Sequence, residues 1–463
     1  MSTAHAELGS TGTWAGDESV ARCRAVLTAL FGPPHQRGFD VKFWDGAMDR
    51  GATSPYTLVL NRPAALREML LPPSELSIVE AYIAGDVDIE GSAEAAAGFA
   101  TAIGDRLKSP AALARLVRLV IGLPGKAHDD LADARFPAAA RKLSGLHEKE
   151  RDAAAVQFHY DVGNDFYKLW LDRRMVYSCA YFCSPDDSLD TAQEAKLDLI
   201  CRKLRLCPGE RLLDIGCGWG GLIMHAAENY GVDATGITLS REQAALASER
   251  IEKAGLAKRC RVAIRDYRML EAVDGYDKIA SVGMVEHVGA SHLPVYFASA
   301  FRALKPGGLF LNHGIVSLSE PRPRSIGQKI FRKFWKAHAF IDKYVFPDAK
   351  LTAAHDVIAA AEGAGFEVRD VESLREHYAM TLRHWVRALE ERGREATALV
   401  GDRTFRVWRL YMAASANSFS TAAINVIQTL LAKPDARGRS TIPLSRADIC
   451  ADFGLKPTVS SVD

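Results

Sequence analysis

An α/β fold with a doubly wound parallel sheet is predicted for the larger part of this 463-residue chain, on three observations. The apolar run Arg211-Leu212-Leu213-Asp214-Ile215 leads straight into Gly216-Cys217-Gly218-Trp219-Gly220-Gly221 and then into a helical pattern, the strand, glycine turn and helix of a nucleotide-cofactor site. From residue 153 onward, strand-like runs at 211–215, 234–237, 261–264, 278–282 and 309–313 alternate with helices, an order that puts the ligand at the carboxyl ends of the strands. Residues 301–308, Phe-Arg-Ala-Leu-Lys-Pro-Gly-Gly, end a helix and turn tightly into the next strand.

Ahead of that sheet the pattern is different. Residues 1–20 are rich in Ser, Thr, Gly and Ala and are expected to be disordered. A small α+β domain follows over 21–127: a helix at 20–30, strands at 39–44 and 56–60, helices at 63–71 and 77–86, then an extended Val87-Asp88-Ile89. Within it, 111–122 repeats Leu113, Leu116, Val117 and Val120 on one face with Arg115 and Arg118 opposite, which reads as a helix packed between domains, or alternatively as a basic face for a membrane. The charged stretch 128–152 reads as a linker, and 153–463 as the catalytic domain, with a lid insertion at 317–350.

Composition narrows the function. With 48% hydrophobic and 25% charged residues, a formal charge of +1 and a pI near 7.6, the chain has no global basic field to draw nucleic acid. No basic-then-apolar leader and no apolar run near the roughly twenty residues of a bilayer span is visible, so a cytoplasmic protein is expected. Eight scattered cysteines read as reduced thiols, and the Cys179/Cys183 pair lacks a second Cys/His pair at ligand spacing, so no metal is expected.

The turn departs from the dinucleotide pattern in its G-x-G-x-G-G spacing, and no acid ends the next strand to hold a ribose, which disfavours NAD. That strand ends instead in Thr238-Leu239-Ser240, with Gln243 one turn on, so neutral hydrogen-bonding groups occupy the ribose position.

Several separate motifs then agree. Phe158-His159-Tyr160-Asp161-Val162-Gly163-Asn164-Asp165-Phe166-Tyr167, Val176-Tyr177-Ser178-Cys179-Ala180-Tyr181, the glycine turn, Thr238-Leu239-Ser240, Gly283-Met284-Val285-Glu286-His287-Val288-Gly289, His313-Gly314-Ile315 and Tyr378-Ala379-Met380-Thr381-Leu382 occur in order. Together they resemble the cyclopropane-fatty-acyl-phospholipid synthase and mycolic acid cyclopropane synthase family, with its fatty acid methyltransferases. The resemblance runs through most of 151–430, and the small N-terminal domain resembles that of the longer bacterial synthases.

The resemblance implies a Rossmann-like class I S-adenosylmethionine-dependent methyltransferase domain with a smaller α+β N-terminal domain. It implies S-adenosylmethionine held by Asp214, Gly216, Gly218 and Gly220, closed over by Tyr177 and Ser178, with Thr238, Leu239, Ser240 and Gln243 near the ribose and Asp266 and Tyr267 beside the adenine. A bicarbonate ion, the base that takes a proton from the transferred methyl group, would be held by Cys179, Glu286, His313, Ile315 and Tyr378, with the Glu286 pKa raised by the neighbouring anion. Tyr160, Phe166, Tyr181 and Tyr378 are candidates for stabilising the cationic alkene carbon through their ring faces. Taken singly, Cys179, His313 and Tyr378 read as a buried thiol, a core histidine and a packing ring; only inside their motifs do they read as ligands.

The implied activity is methyl transfer to the cis double bond of an unsaturated phospholipid acyl chain at the membrane surface, closing a cyclopropane. The alternatives are a methylene or methyl branch, a small-molecule amine N-methyltransferase, or a lipid-binding protein that retains the cofactor without activity. The N-terminal domain would position the enzyme on lipid or on a second protomer of a homodimer, and the basic, aromatic stretch 322–338 would admit the acyl chain from the inner face of the membrane, giving a cytoplasmic, transiently peripheral enzyme. Two departures stand out. Gly314 replaces the family's Thr, which predicts a looser backbone, and Ser415 replaces a cysteine, which excludes a thiol nucleophile there.

Overall fold

The structure, a computed structural model, describes residues 12–106, 110–125, 162–318, 339–346, 351–440 and 442–450. It divides into two compact units: one takes residues from 1–136, 321–345 and 401–417, and the other takes 137–320, 346–400 and 418–463.

In the first unit, α1 (Gly12–Phe31) starts well before residue 20, inside the stretch expected to be disordered. A four-stranded sheet of β1 (Asp40–Lys42), β2 (Met48–Asp49), β3 (Tyr56–Leu60) and β4 (Val87–Gly91) has the order β2-β1-β3-β4, with only the β1–β3 pair parallel. Its core joins Val26 and Leu27 of α1 to Val41, Leu60 and Leu66, and the rings of Phe31, Phe39, Tyr56 and Phe99 stack through it. The helix α2 (Pro110–Ile121) buries Leu116 and Val120 in this same core, while Arg115 and Arg118 stay exposed. Leu113 and Leu119 of the same helix pack against that core partly buried.

Two late segments also belong here. Lys343 and Tyr344, on the helix Ala339–Tyr344, both reach Glu80, and Arg406 bonds Asp88 at 2.9 Å and the Tyr82 carbonyl at 3.2 Å. Sequence alone placed both segments in the catalytic domain, because neither carries a local boundary signal.

The second unit is a seven-stranded sheet, assembled from α3 (Leu189–Leu204), β5 (Arg211–Ile215), α4 (Gly221–Tyr230), β6 (Asp233–Thr238), α5 (Arg241–Lys253), β7 (Cys260–Ile264), β8 (Tyr276–Val282), α6 (Val285–Val288), α7 (Leu293–Ala303), β9 (Leu304–Ser317), β10 (Glu367–Ser373), α8 (Arg375–Glu391) and β11 (Ile424–Ala432). The strand order is β10-β11-β9-β8-β5-β6-β7. All five sequence-predicted strands are present and mutually parallel. The sheet as a whole is mixed, because β11 runs antiparallel between β9 and β10, a correction to the all-parallel expectation. The chain leaves β5 for β6 on one side and later returns to β8 on the other, so the switch point lies at the carboxyl ends of β5 and β8, where a crevice forms in folds of this class.

Candidate active site

The loops after β5, β6, β7 and β8, with residues 175–178, make the crevice. After β5, Gly216, Gly218 and Gly220 all take positive φ, and the Gly216 and Cys217 amides both donate to the Ile237 carbonyl at 2.9 and 3.0 Å, which ties the turn to the end of β6. A Cβ on Gly218 would meet nothing within 4 Å: this residue faces open space at φ +52°, where a β-branched residue is strained. The cavity beyond it measures about 1180 Å³, open solvent at its mouth included. Asp214, Gly216 and Gly218 line one side, Thr238, Leu239 and Gln243 another, Tyr267 and Arg268 the far end, and Tyr177, Ser178, Met284 and His287 the cover.

The predicted residues are thus largely brought together, with three exceptions. Ser240 caps α5 by accepting from the Gln243 amide at 3.2 Å, and Gly220 caps α4; neither lines the cavity. Asp266 turns its carboxylate to Arg268, which donates through its backbone amide at 2.8 Å and its guanidinium at 2.6 to 3.1 Å. Arg268, not Asp266, reaches the cavity.

The cover is fixed from α3 by two residues that sequence reasoning passed over. Gln193 donates to the carbonyls of Val176 and Ser178 at 3.2 and 2.9 Å, and Lys196, 1% exposed, donates from Nζ to the Ser178 hydroxyl at 2.8 Å. Burial drives the Lys196 pKa down while Asp172, Cys179 and Asp214 pull it back up; burial drives Asp214 up while Lys196 opposes. The Asp214 Oδ1 atom is buried and has no hydrogen-bond partner among the described residues. A cation and an acid, each taken out of water, face the same cavity.

The five residues of the second constellation fall into two groups. Glu286 is the second residue of α6, just after β8, and its carboxylate accepts from its own amide and from that of Ile315; burial nonetheless pushes its pKa up to about 7. This is the direction expected from sequence, with desolvation as the cause rather than a neighbouring anion. His313 lies two residues before Ile315 on β9, and the Gly283 amide donates to its carbonyl at 2.8 Å. Glu286 Oε2 and His313 Nε2 are both buried and lack partners among the described residues.

Cys179 and Tyr378 form the other group. The Cys179 thiol, raised by burial, donates to the carbonyls of Ala180 at 3.2 Å and Leu374 at 3.7 Å, and the Tyr378 amide donates to that same Leu374 carbonyl at 3.1 Å. The Leu374 amide in turn donates to the Val426 carbonyl at 2.9 Å, and Val426 lies opposite Ile315. The two groups are therefore one strand apart.

Gly314 contradicts the expected looseness. It is buried in β9 opposite Ile427 of β11, and a Cβ there would lie 2.1 Å from Val285 Cγ1 and 3.0 Å from Glu286 Oε2, so the missing side chain is what lets α6 close on β9. Among the aromatic candidates, Tyr378 packs on Phe419 at 4.6 Å and reaches Trp385 at 6.1 Å. Phe166 packs against Tyr167 and Trp170, and Tyr181 stacks on His377; none of the rings of Tyr378, Phe166 and Tyr181 lines the cavity, nor do Cys179, Glu286, His313 and Ile315. Tyr160 and 322–338 lie outside the described residues, and Ser415 falls in the first unit.

Comparison with known proteins agrees with this fold. Residues 147–429 match the family model described as mycolic acid cyclopropane synthetase. A probable fatty acid methyltransferase of Pseudomonas putida is 40% identical over 417 residues, 88% of this chain and 95% of that one. The cyclopropane-fatty-acyl-phospholipid synthase of Escherichia coli is 37% identical over 295 residues, 64% of this chain and 72% of its own. Among solved structures, a cyclopropane synthase from Mycobacterium tuberculosis superposes with a TM-score of 0.56 at 34% identity, covering 61% of this chain and 98% of that one. A mycolic acid cyclopropane synthase complexed with SAH and CTAB gives the same TM-score of 0.56 and the same coverage at 36% identity.

Proposed function

The chain belongs to the mycolic acid cyclopropane synthetase family, and from that premise we propose that it transfers a one-carbon unit from S-adenosylmethionine to the cis double bond of an unsaturated phospholipid acyl chain and closes a cyclopropane. It is an S-adenosylmethionine-dependent methyltransferase. When bound, the cofactor supplies an electrophilic methyl carbon on a cationic sulfur. The orphaned Asp214 Oδ1 suits the cofactor's ammonium, the Ser178 hydroxyl backed by Lys196 suits its carboxylate, Thr238, Leu239 and Gln243 suit the ribose, and the Tyr267 face suits the adenine.

An isolated alkene is a weak nucleophile, so alkene and methyl donor must be held together in a dry site. As the methyl group joins one alkene carbon, positive charge develops on the other, and the Tyr378 ring is the candidate to face it. A proton leaves the new methyl group as the ring closes. The observation that carries this reading is the two buried, unsatisfied atoms, Glu286 Oε2 and His313 Nε2, on residues next to the cavity lining: Glu286 lies between Met284 and His287, and His313 is paired with Val282. Their acceptor and donor character fits a small anion with one hydroxyl, such as bicarbonate, completed by Cys179, Ile315 and Tyr378.

One observation favours a second outcome. The relative named a fatty acid methyltransferase matches 88% of this chain, against 64% for the Escherichia coli synthase. Loss of a proton from a chain carbon would leave a methyl branch. Incubation with vesicles of a defined monounsaturated phospholipid and cofactor bearing a trideuterated methyl separates the two by mass: a cyclopropane keeps two deuteria, a methyl branch three. Absence of transfer to any monounsaturated lipid overturns the reading. We assign to the first unit, and to 322–338, the placing of this site at an anionic bilayer; no helix among the described residues is long and apolar enough to cross one.

A further inference from the structure

A buried row of polar side chains runs sideways across the sheet behind His313. Glu372 on β10 lies opposite Gln428 on β11, which lies opposite His313 on β9, so all three share one face. From α3, two turns beyond Lys196, Lys203 reaches over the row with its side chain 3% exposed. Its ammonium pairs with Glu372 and donates to Gln428 Oε1 at 2.7 Å, and Gln428 Nε2 stands 3.2 Å from His313 Nδ1. Asp370, 3.8 Å from Lys203, is shared with Arg446 at the rim.

The donor inventory leaves one arrangement. An ammonium has protons and no lone pair, so the oxygen end of the Gln428 amide must face Lys203, and the amide NH2 is left facing the imidazole. An NH2 group also has only protons to offer, so His313 Nδ1 must be the nitrogen with the lone pair. A neutral ring then carries its proton on Nε2, the buried atom without a partner among the described residues. The neutral form is itself favoured: burial, with Lys196 and Lys203 both nearby, holds the His313 pKa well below its ordinary value.

We propose that Gln428, oriented by Lys203, is a positioning residue that locks His313 in the Nε2–H tautomer, so that the ring presents a donor to the site and not a lone pair. The inference rests on the reading above in its purpose: an Nε2 lone pair would repel the anion that an Nε2–H group holds. Neither Lys203 nor Gln428 touches the reacting groups in this account.

Two-bond proton–nitrogen NMR on the full chain labelled with 15N-histidine tests it, with His313→Asn serving only to assign the signals. The wild type should show the Nε2–H pattern; an Nδ1–H pattern overturns the proposal, whatever the variants do. In Gln428→Glu the new carboxylate accepts a proton from the ring, so His313 should move to Nδ1–H or to the imidazolium, turnover on vesicles should fall at least about tenfold, and the dissociation constant for S-adenosylhomocysteine should change less than about threefold. Retention of Nε2–H in that variant also overturns it. If the wild type transfers no methyl group to lipid, the functional reading fails, and the tautomer still decides this inference by itself.

Discussion

The two halves of the catalytic sheet are built on different principles. On the β5-β6-β7 side, the cavity is made by loops that directly follow parallel strands, and much of its wall is backbone: a glycine turn, a strand end, the amide-bearing start of a helix. On the β8-β9-β11-β10 side, the constellation is made of residues from four separate stretches of the chain, around 179, 286, 313–315 and 378. A ligand of fixed shape can be recognised by backbone that needs only the right residue types in a row. Proton chemistry needs particular atoms at particular protonation states, and only tertiary packing supplies those.

That contrast can be broken most sharply at Glu286. Glu286→Gln removes the acceptor from the chemical half only, and turnover should fall by about 10²–10⁴ while calorimetric affinity for S-adenosylhomocysteine stays within about threefold. Comparable losses in both would mean that the halves are not separable. Gly218→Val is the mirror image: strain at φ +52°, worth ~1–3 kcal/mol, together with a side chain projecting into the cavity, should weaken S-adenosylhomocysteine binding about 100-fold. Unchanged affinity would show that the turn is not the cofactor's seat.

Lys196→Met refines the boundary. It should weaken S-adenosylhomocysteine about tenfold and leave 5′-methylthioadenosine, which lacks the amino acid portion, unaffected, since a charge-assisted hydrogen bond is worth ~1.5–3 kcal/mol. Equal weakening of the two ligands would count against a carboxylate-binding role. The smallest effect is on stability. A carboxyl whose folded-state pKa is raised from 4.5 to about 7 binds its proton more tightly folded than unfolded, so its contribution falls as pH rises through that interval. Glu286→Gln, which cannot ionise, should therefore melt a few degrees above the wild type at pH 8 and close to it at pH 4.5. A melting difference that ignores pH would mean that the buried carboxyl does not ionise at a cost.

The same division decides what could be read from the sequence. Gly216 to Gly221, Thr238 and Gln243 are local patterns, and the cavity lies where they indicated. Glu286, His313 and Ile315 were indicated by motifs, and the first two each carry a buried side-chain atom without a partner among the described residues. Lys196 and Lys203 were invisible because, in Ala-Gln-Glu-Ala-Lys-Leu-Asp-Leu-Ile-Cys-Arg-Lys-Leu, lysines at a seven-residue spacing look like the wet face of an amphipathic helix. Only the sheet beneath α3 shows that they are dry. Asp266 shows the converse: an acid in the expected place has a near partner, Arg268, two residues away, that the sequence reading did not pair with it.

The position of β11 has a consequence for biosynthesis. This strand, Ile424–Ala432, sits between β9 and β10 and supplies Gln428, yet it is made after every other strand of the sheet. On the ribosome, β9 must therefore wait with an open hydrogen-bonding edge while more than a hundred further residues emerge. Chaperone dependence and aggregation should concentrate in that interval, and a nascent chain halted before residue 424 would have its glycine turn complete and its proton-handling side unfinished.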